Sequence, residues 1–88
     1  MDYVAWFTRE NYAAHKALDP NGLHPTFDEW LKDAKARMEQ LERKGIVLIP
    51  VVIDPEKLAA WCKSQGTEVN AKARTTFVAL GLNKENLN

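Results

Sequence analysis

Hydrophobic residues along this chain recur at helical intervals almost everywhere and run together only between Ile46 and Ile53, where Pro50 is the one interruption. Tyr3, Val4, Phe7, Ala14 and Leu18 share the helical period, and Asp2 is placed to favour the positive end of a helix dipole, which predicts a helix over residues 3–18. Asp19-Pro20-Asn21-Gly22 ends it, because Pro presets the first turn angle and Asn-Gly tolerates the backbone angles of a reversal. A second helix over 26–44 has the clearest signal. Thr26-Phe27-Asp28-Glu29 has capping-box spacing, Pro25 discourages helix before it, and Phe27, Trp30, Leu31, Ala34, Met38 and Leu41 fall on one face. Gly45 supplies the residue that a helix end commonly needs.

The apolar run at 46–53 is the strand-like segment of the chain. It lacks the alternation of a half-solvated strand, which implies burial on both sides. Pro50 cannot donate to a ladder, so the segment is an edge strand, two short pieces, or an extended connector bent at Pro50 between two helical hairpins. A single strand leaves its backbone donors and acceptors without partners, and no second segment offers an obvious mate. This points outward to another chain.

Asp54-Pro55-Glu56 restarts a helix over 55–65, with Asp54 as N-cap and Pro55 at the first helical position, burying Leu58, Trp61 and Cys62 and ending at Gly66. Thr67 or Asn70 caps a fourth helix over 68–80, which buries Val69, Ala73, Phe77 and Leu80 and is closed by Gly81. The expected fold is therefore mainly α, one domain over 1–82 with four helices and an extended or β segment at 46–53, followed by a flexible tail at 83–88. Its core draws on Phe7, Phe27, Trp30, Leu31, Leu41, Leu58, Trp61, Phe77 and Leu80.

Charge and cysteine content narrow the class. Twelve Lys and Arg balance twelve Asp and Glu in 88 residues, which is not the basic excess of a general nucleic-acid binder. From Lys57 onward Lys57, Lys63, Lys72, Arg74 and Lys84 face only Glu68 and Glu85, a mild bias expected of a solvated surface. Cys62 is the only cysteine, so no internal disulfide forms, and a lone thiol suits a reducing cytoplasm. Residues 1–18 carry Arg9, Glu10, Asn11, His15 and Lys16 and read as neither signal peptide nor membrane span.

Candidate chemistry is sparse. His15 and His24 lie nine residues apart with Asp19 between them, without the spacing of a metal site, and no acid-base pair assembles around either. Cys62 sits midway along a helix on its apolar face, where a thiol behaves as a small hydrophobe. Asp28, Glu29, Asp33, Asp54 and Glu56 read as caps and surface charge. Gly22, Gly45, Gly66 and Gly81 are scattered at helix ends and form no phosphate loop. No catalytic residue, metal or cofactor is assigned.

Residues 46–82, in the order strand, helix, turn, helix, resemble a ribbon-helix-helix DNA-binding domain. Val51-Val52-Ile53-Asp54-Pro55-Glu56 looks like that family's strand entering its first helix, and Gly66-Thr67-Glu68-Val69-Asn70 like its inter-helix turn. The resemblance implies strands paired between two chains and a dimer core built by both helices. It carries over no base-contacting residue, and Lys57 and Lys72 are its candidate phosphate contacts.

The functional expectation is a non-enzymatic, cytoplasmic interaction module that acts as a homodimer or on a protein partner, not on a membrane. Its candidate interface is Ile46, Leu48, Ile49, Val51, Val52, Ile53 and Trp6. A ribbon-helix-helix-like DNA-binding regulator is the first alternative, and a monomeric helical domain with another surface function the second.

Overall fold

Thr26, Asp54 and Asn70 start three of the helices with side-chain caps. The Thr26 hydroxyl accepts from Glu29 N at 3.2 Å, Asp54 Oδ1 from Glu56 N at 2.9 Å and Asn70 Oδ1 from Ala73 N at 2.8 Å. The computed structural model describes residues 2–82 and contains β1 (Asp2–Trp6), α1 (Tyr12–Leu18), α2 (Phe27–Arg43), β2 (Leu48–Val52), α3 (Pro55–Gln65) and α4 (Ala71–Ala79). The mainly helical fold with four helices and an extended segment within 46–53 is therefore observed, and the expected tail at 83–88 lies outside the described residues. Thr26→Ala is expected to cost about 1 kcal/mol in urea unfolding, the usual loss for a helix cap.

The first helix is shorter than its periodicity predicts. Residues 2–6 form a strand and the helix begins at Tyr12. Tyr3, Val4 and Trp6 are aromatic or β-branched, types that suit a pleated surface, and a parallel ladder to β2 gives their backbone partners that a frayed first turn would lack. Thr8 and Asn11 then close the intervening loop reciprocally, Thr8 N donating to Asn11 Oδ1 at 2.8 Å and Asn11 N to Thr8 Oγ1 at 3.1 Å.

β2 thus has a mate within its own chain, which corrects the expectation that none exists. Asp2 pairs with Leu48 and, in parallel register, Trp6 with Val52, and the ladder extends to Ile53 N, which donates to Trp6 O at 3.2 Å. α1 and α2 form the crossover that returns the chain to the start of β2, as parallel pairing demands. Pro50 is tolerated because, among the described residues, the sheet has only these two strands and both are edges.

Alternation across the strands divides the interior into two clusters. Ala5 and Val51, partners in the ladder, pack with Ile53, Leu58, Cys62, Ala73, Phe77 and Val78. The next residue, Trp6, packs with Phe7, Tyr12, Trp30, Phe27 and Leu31. Trp30 is the hub of this second cluster, its ring centroid 4.8 Å from those of both Trp6 and Phe7 in edge-to-face geometry.

Of the expected core, Phe7, Trp30, Leu58 and Phe77 are buried, and Phe27, Leu31, Leu41 and Trp61 are partly so. Leu80 is not core, at 62 % exposed. The buried face of α4 is centred between Phe77 and Val78, with Ala73 and Arg74 on it, so Leu80 falls about a quarter turn away and just past the helix end. Arg74, expected on a solvated surface, is 6 % exposed, and Ala14, expected on the apolar face of the first helix, is exposed.

Candidate functional site

An open cleft of about 480 Å³ runs beside β1, within the usual range for ligand pockets. Tyr3, Val4, Ala5 and Trp6, followed by Phe7, all line it. Successive strand residues point to opposite faces, so a hollow lined by every one of them follows the edge of the strand and not one of its faces. α2 forms one wall with Trp30, Asp33, Ala34, Arg37, Met38 and Leu41, and α4 the other with Ala71, Arg74 and Thr75. Gly22, Leu23 and His24 of the α1–α2 connection also border it.

The edge facing this cleft carries β1's unpaired polar groups. In a parallel ladder the N–H and C=O of one residue point the same way, and Trp6 O accepts from Ile53 N, so Asp2, Val4 and Trp6 turn their backbone toward β2. Tyr3 and Ala5 turn theirs toward the cleft.

Polar side chains are few and clustered. On the α2 wall Asp33 Oδ2 accepts from Arg37 Nη2 at 2.8 Å and lies 3.3 Å from His24 Nε2. This corrects the expectation that no acid-base pair forms around either histidine. The α1–α2 reversal folds His24 back over the second turn of α2, held by Tyr12 Oη donating to His24 O at 2.6 Å and by Lys16 Nζ donating to Pro20 O and Leu23 O. On the α4 wall Arg74 Nη1 donates to Asp19 Oδ2 at 2.8 Å, the two side chains being 7 % and 13 % exposed, and the guanidinium carbon lies 5.9 Å from the centroid of Phe7.

His15 is not a surface group but a buried clamp behind this site. Its Nε2 lies 2.9 Å from Ile53 O, which also accepts from Asn11 Nδ2 at 3.2 Å, so one carbonyl ties α1 to the end of β2. Nδ1 is buried and has no hydrogen-bond partner. Burial holds the imidazole below its ordinary pKa; the Ile53 contact opposes the shift, the Arg74 charge adds to it and Asp54 opposes it weakly. Cys62 lies in the other cluster, its thiol pushed up by burial against a smaller lowering by Arg74, an environment that disfavours the thiolate. Among the described residues no group of three or more His, Cys, Asp and Glu is arranged to hold a metal ion, and no helix is long and apolar enough to cross a membrane.

The candidate interface residues do not form one patch. Trp6 and Leu48 line the cleft. Ile49 and Val51 are partly buried, while Ile46 and Val52 are exposed. Ile53 is wholly buried in the α3–α4 cluster and belongs to the core, because its register places it inward beside Leu58. Sequence reasoning missed Tyr3 and Ala5 as edge groups and Arg37 and Arg74 as cleft cations. The β-forming character of Tyr3, Val4 and Trp6 was the available signal for the edge; no local signal marks Arg74, whose partner lies 55 residues away.

Comparison of the chain with protein-family models, with curated proteins and with solved structures finds no match.

Proposed function

We propose that this chain is a non-enzymatic, cytoplasmic protein-interaction module that takes up a segment of another protein in the cleft along β1. The observation that carries this reading is the open edge of β1 set between two helices, with Trp6 and Trp30 in its lining and unpaired backbone at Tyr3 and Ala5. Tryptophan and arginine are the side chains on which interfaces most often concentrate their binding energy, and Trp6, Trp30, Arg37 and Arg74 all meet this hollow.

Homodimerisation through 46–53 is the second reading. It draws support from Ile46, Val47 and Val52, which remain exposed beside a strand whose inner edge β1 already occupies. The ribbon-helix-helix-like DNA-binding role rests on the resemblance of 46–82 alone and requires a dimer with salt-sensitive DNA binding.

Sedimentation over a concentration series, followed by selection from a random peptide-display library, separates these readings. The partner-binding reading expects a monomer that enriches peptides whose binding shifts the amide resonances of residues 3–7. A concentration-dependent dimer with changes confined to 46–53, or a library with no enrichment, overturns it.

A further inference from the structure

The same cleft constrains what kind of segment fits it, an inference that rests on the partner-binding reading. β1 presents outward N–H and C=O groups from Tyr3 and Ala5, with Tyr3 itself 55 % exposed. Only an extended chain can satisfy them in register, since strand addition alternates donors and acceptors at the spacing of a strand. A third strand would lie about 4.8 Å from β1 and run along its length of roughly 16 Å. It would turn alternate side chains toward α2 and toward α4.

The charges on those two walls select the side chains. The charged groups at the cleft are two arginines each held by an aspartate, Arg37 by Asp33 and Arg74 by Asp19, so formal charge is balanced and recognition rests on the guanidinium donors that these pairs leave free. Arg37 is 73 % exposed at its side chain and is held toward Asp33 by one nitrogen. Arg74 also borders the cleft, but its side chain is 7 % exposed and commits Nη1 to Asp19, so the always-charged, donor-rich guanidinium open to a ligand is that of Arg37. Of these two arginines only Arg37, on the α2 wall, presents an accessible guanidinium to an added strand. The apolar side chains between them, Trp6, Ala34, Met38 and Leu41, suit hydrophobic neighbours in the incoming segment.

We infer that the partner segment is an extended acidic stretch that adds to β1 as a third strand and places a carboxylate side chain against Arg37. Backbone pairing supplies the docking geometry. The carboxylate supplies the selectivity, through charge-assisted hydrogen bonds to the Arg37 guanidinium already positioned by Asp33.

The test uses the full chain and the peptides enriched from the random display library. Enriched peptides are expected to carry Asp or Glu within alternating apolar residues and to shift the Tyr3 and Ala5 amides. Replacing their acidic residue by Lys should weaken binding at least about tenfold, on the scale of a lost charge-assisted hydrogen bond. Arg37→Glu should reverse the preference toward basic peptides without unfolding the chain, because the side chain is exposed. Tyr3→Pro removes an outward N–H while leaving the ladder to β2 intact, and should abolish binding to the same folded protein. Peptides that bind at residues 3–7 without acidic preference overturn the charge selection and leave the partner-binding reading standing. Binding that survives Tyr3→Pro overturns strand addition, and a second copy of this chain found on β1 overturns both.

Discussion

Asp19→Ala is expected to destabilise the folded chain by about 3–5 kcal/mol in urea or thermal unfolding, the range for removing one partner of a buried ion pair. Arg74 would be left with its charge in the interior between Phe7 and the cleft, where its one hydrogen-bonded ion pair is to Asp19. The loss comes mainly from the uncompensated guanidinium and not from the worth of the pair. Arg74→Met in the same background should therefore recover most of it, since an apolar side chain of similar length removes the stranded charge. Gly22 bears on the same pair. A Cβ at Gly22 would stand 2.2 Å from Asp19 Oδ2, the oxygen that holds Arg74, so Gly22→Ala must push the carboxylate away. Its cost should be strongly non-additive with Asp19→Ala. A cost below about 1 kcal/mol for Asp19→Ala would place the pair among solvated surface bridges and refute this account.

That pair also marks where sequence reading stops. The boundaries of α2 and α3 were legible because they are written locally: a capping box at Thr26 and Glu29, Asp54-Pro55 at a helix start, and a left-handed Gly66 with φ of 66° at a helix end. The turn at Asp19 to Gly22 was legible too, but for another reason than the one at work. Gly22 does not adopt positive φ; it is needed because the Asp19 carboxylate occupies the space of a side chain. β1 was illegible because Tyr3, Val4 and Phe7 satisfy a helical period as well as a strand's, and the ladder that decides between them joins residues 46 apart, as Tyr3 with Ile49. With residues 3–18 read as one helix, the run at 46–53 has no mate and its edge points to another chain. The open edge exists, but part of it lies one strand over, on Tyr3 and Ala5. Trp6, a candidate interface residue, lies in the cleft lining, while His24, Arg37 and Arg74 meet only because a reversal and two helices bring them to one hollow.

Lowering the pH should weaken the fold through His15 before carboxylates titrate. Ile53 O is an acceptor, so Nε2 carries the proton and Nδ1 is bare, buried and unpartnered. Protonating Nδ1 would create a buried N–H with no acceptor and a positive charge near Arg74, and burial accordingly holds the folded-state pKa below the ordinary 6.5. The unfolded chain takes up the proton first. The stability tied to neutral His15 is therefore fully present above about pH 6.5 and falls by up to about 1.4 kcal/mol per pH unit below it, until the folded-state pKa is reached. Urea unfolding between about pH 7.5 and about pH 5.5 should show this decline in the wild type and in His24→Gln. His15→Gln should be less stable at the upper end yet lose most of the slope, since the amide still donates toward Ile53 O but does not titrate. An unchanged slope in His15→Gln would assign the acid sensitivity to other groups. The first amides to lose protection on acidification should lie where the clamp joins its elements, in α1 and around Ile53, because the charged ring must leave the interior to solvate Nδ1–H and its departure leaves Asn11 alone on that carbonyl.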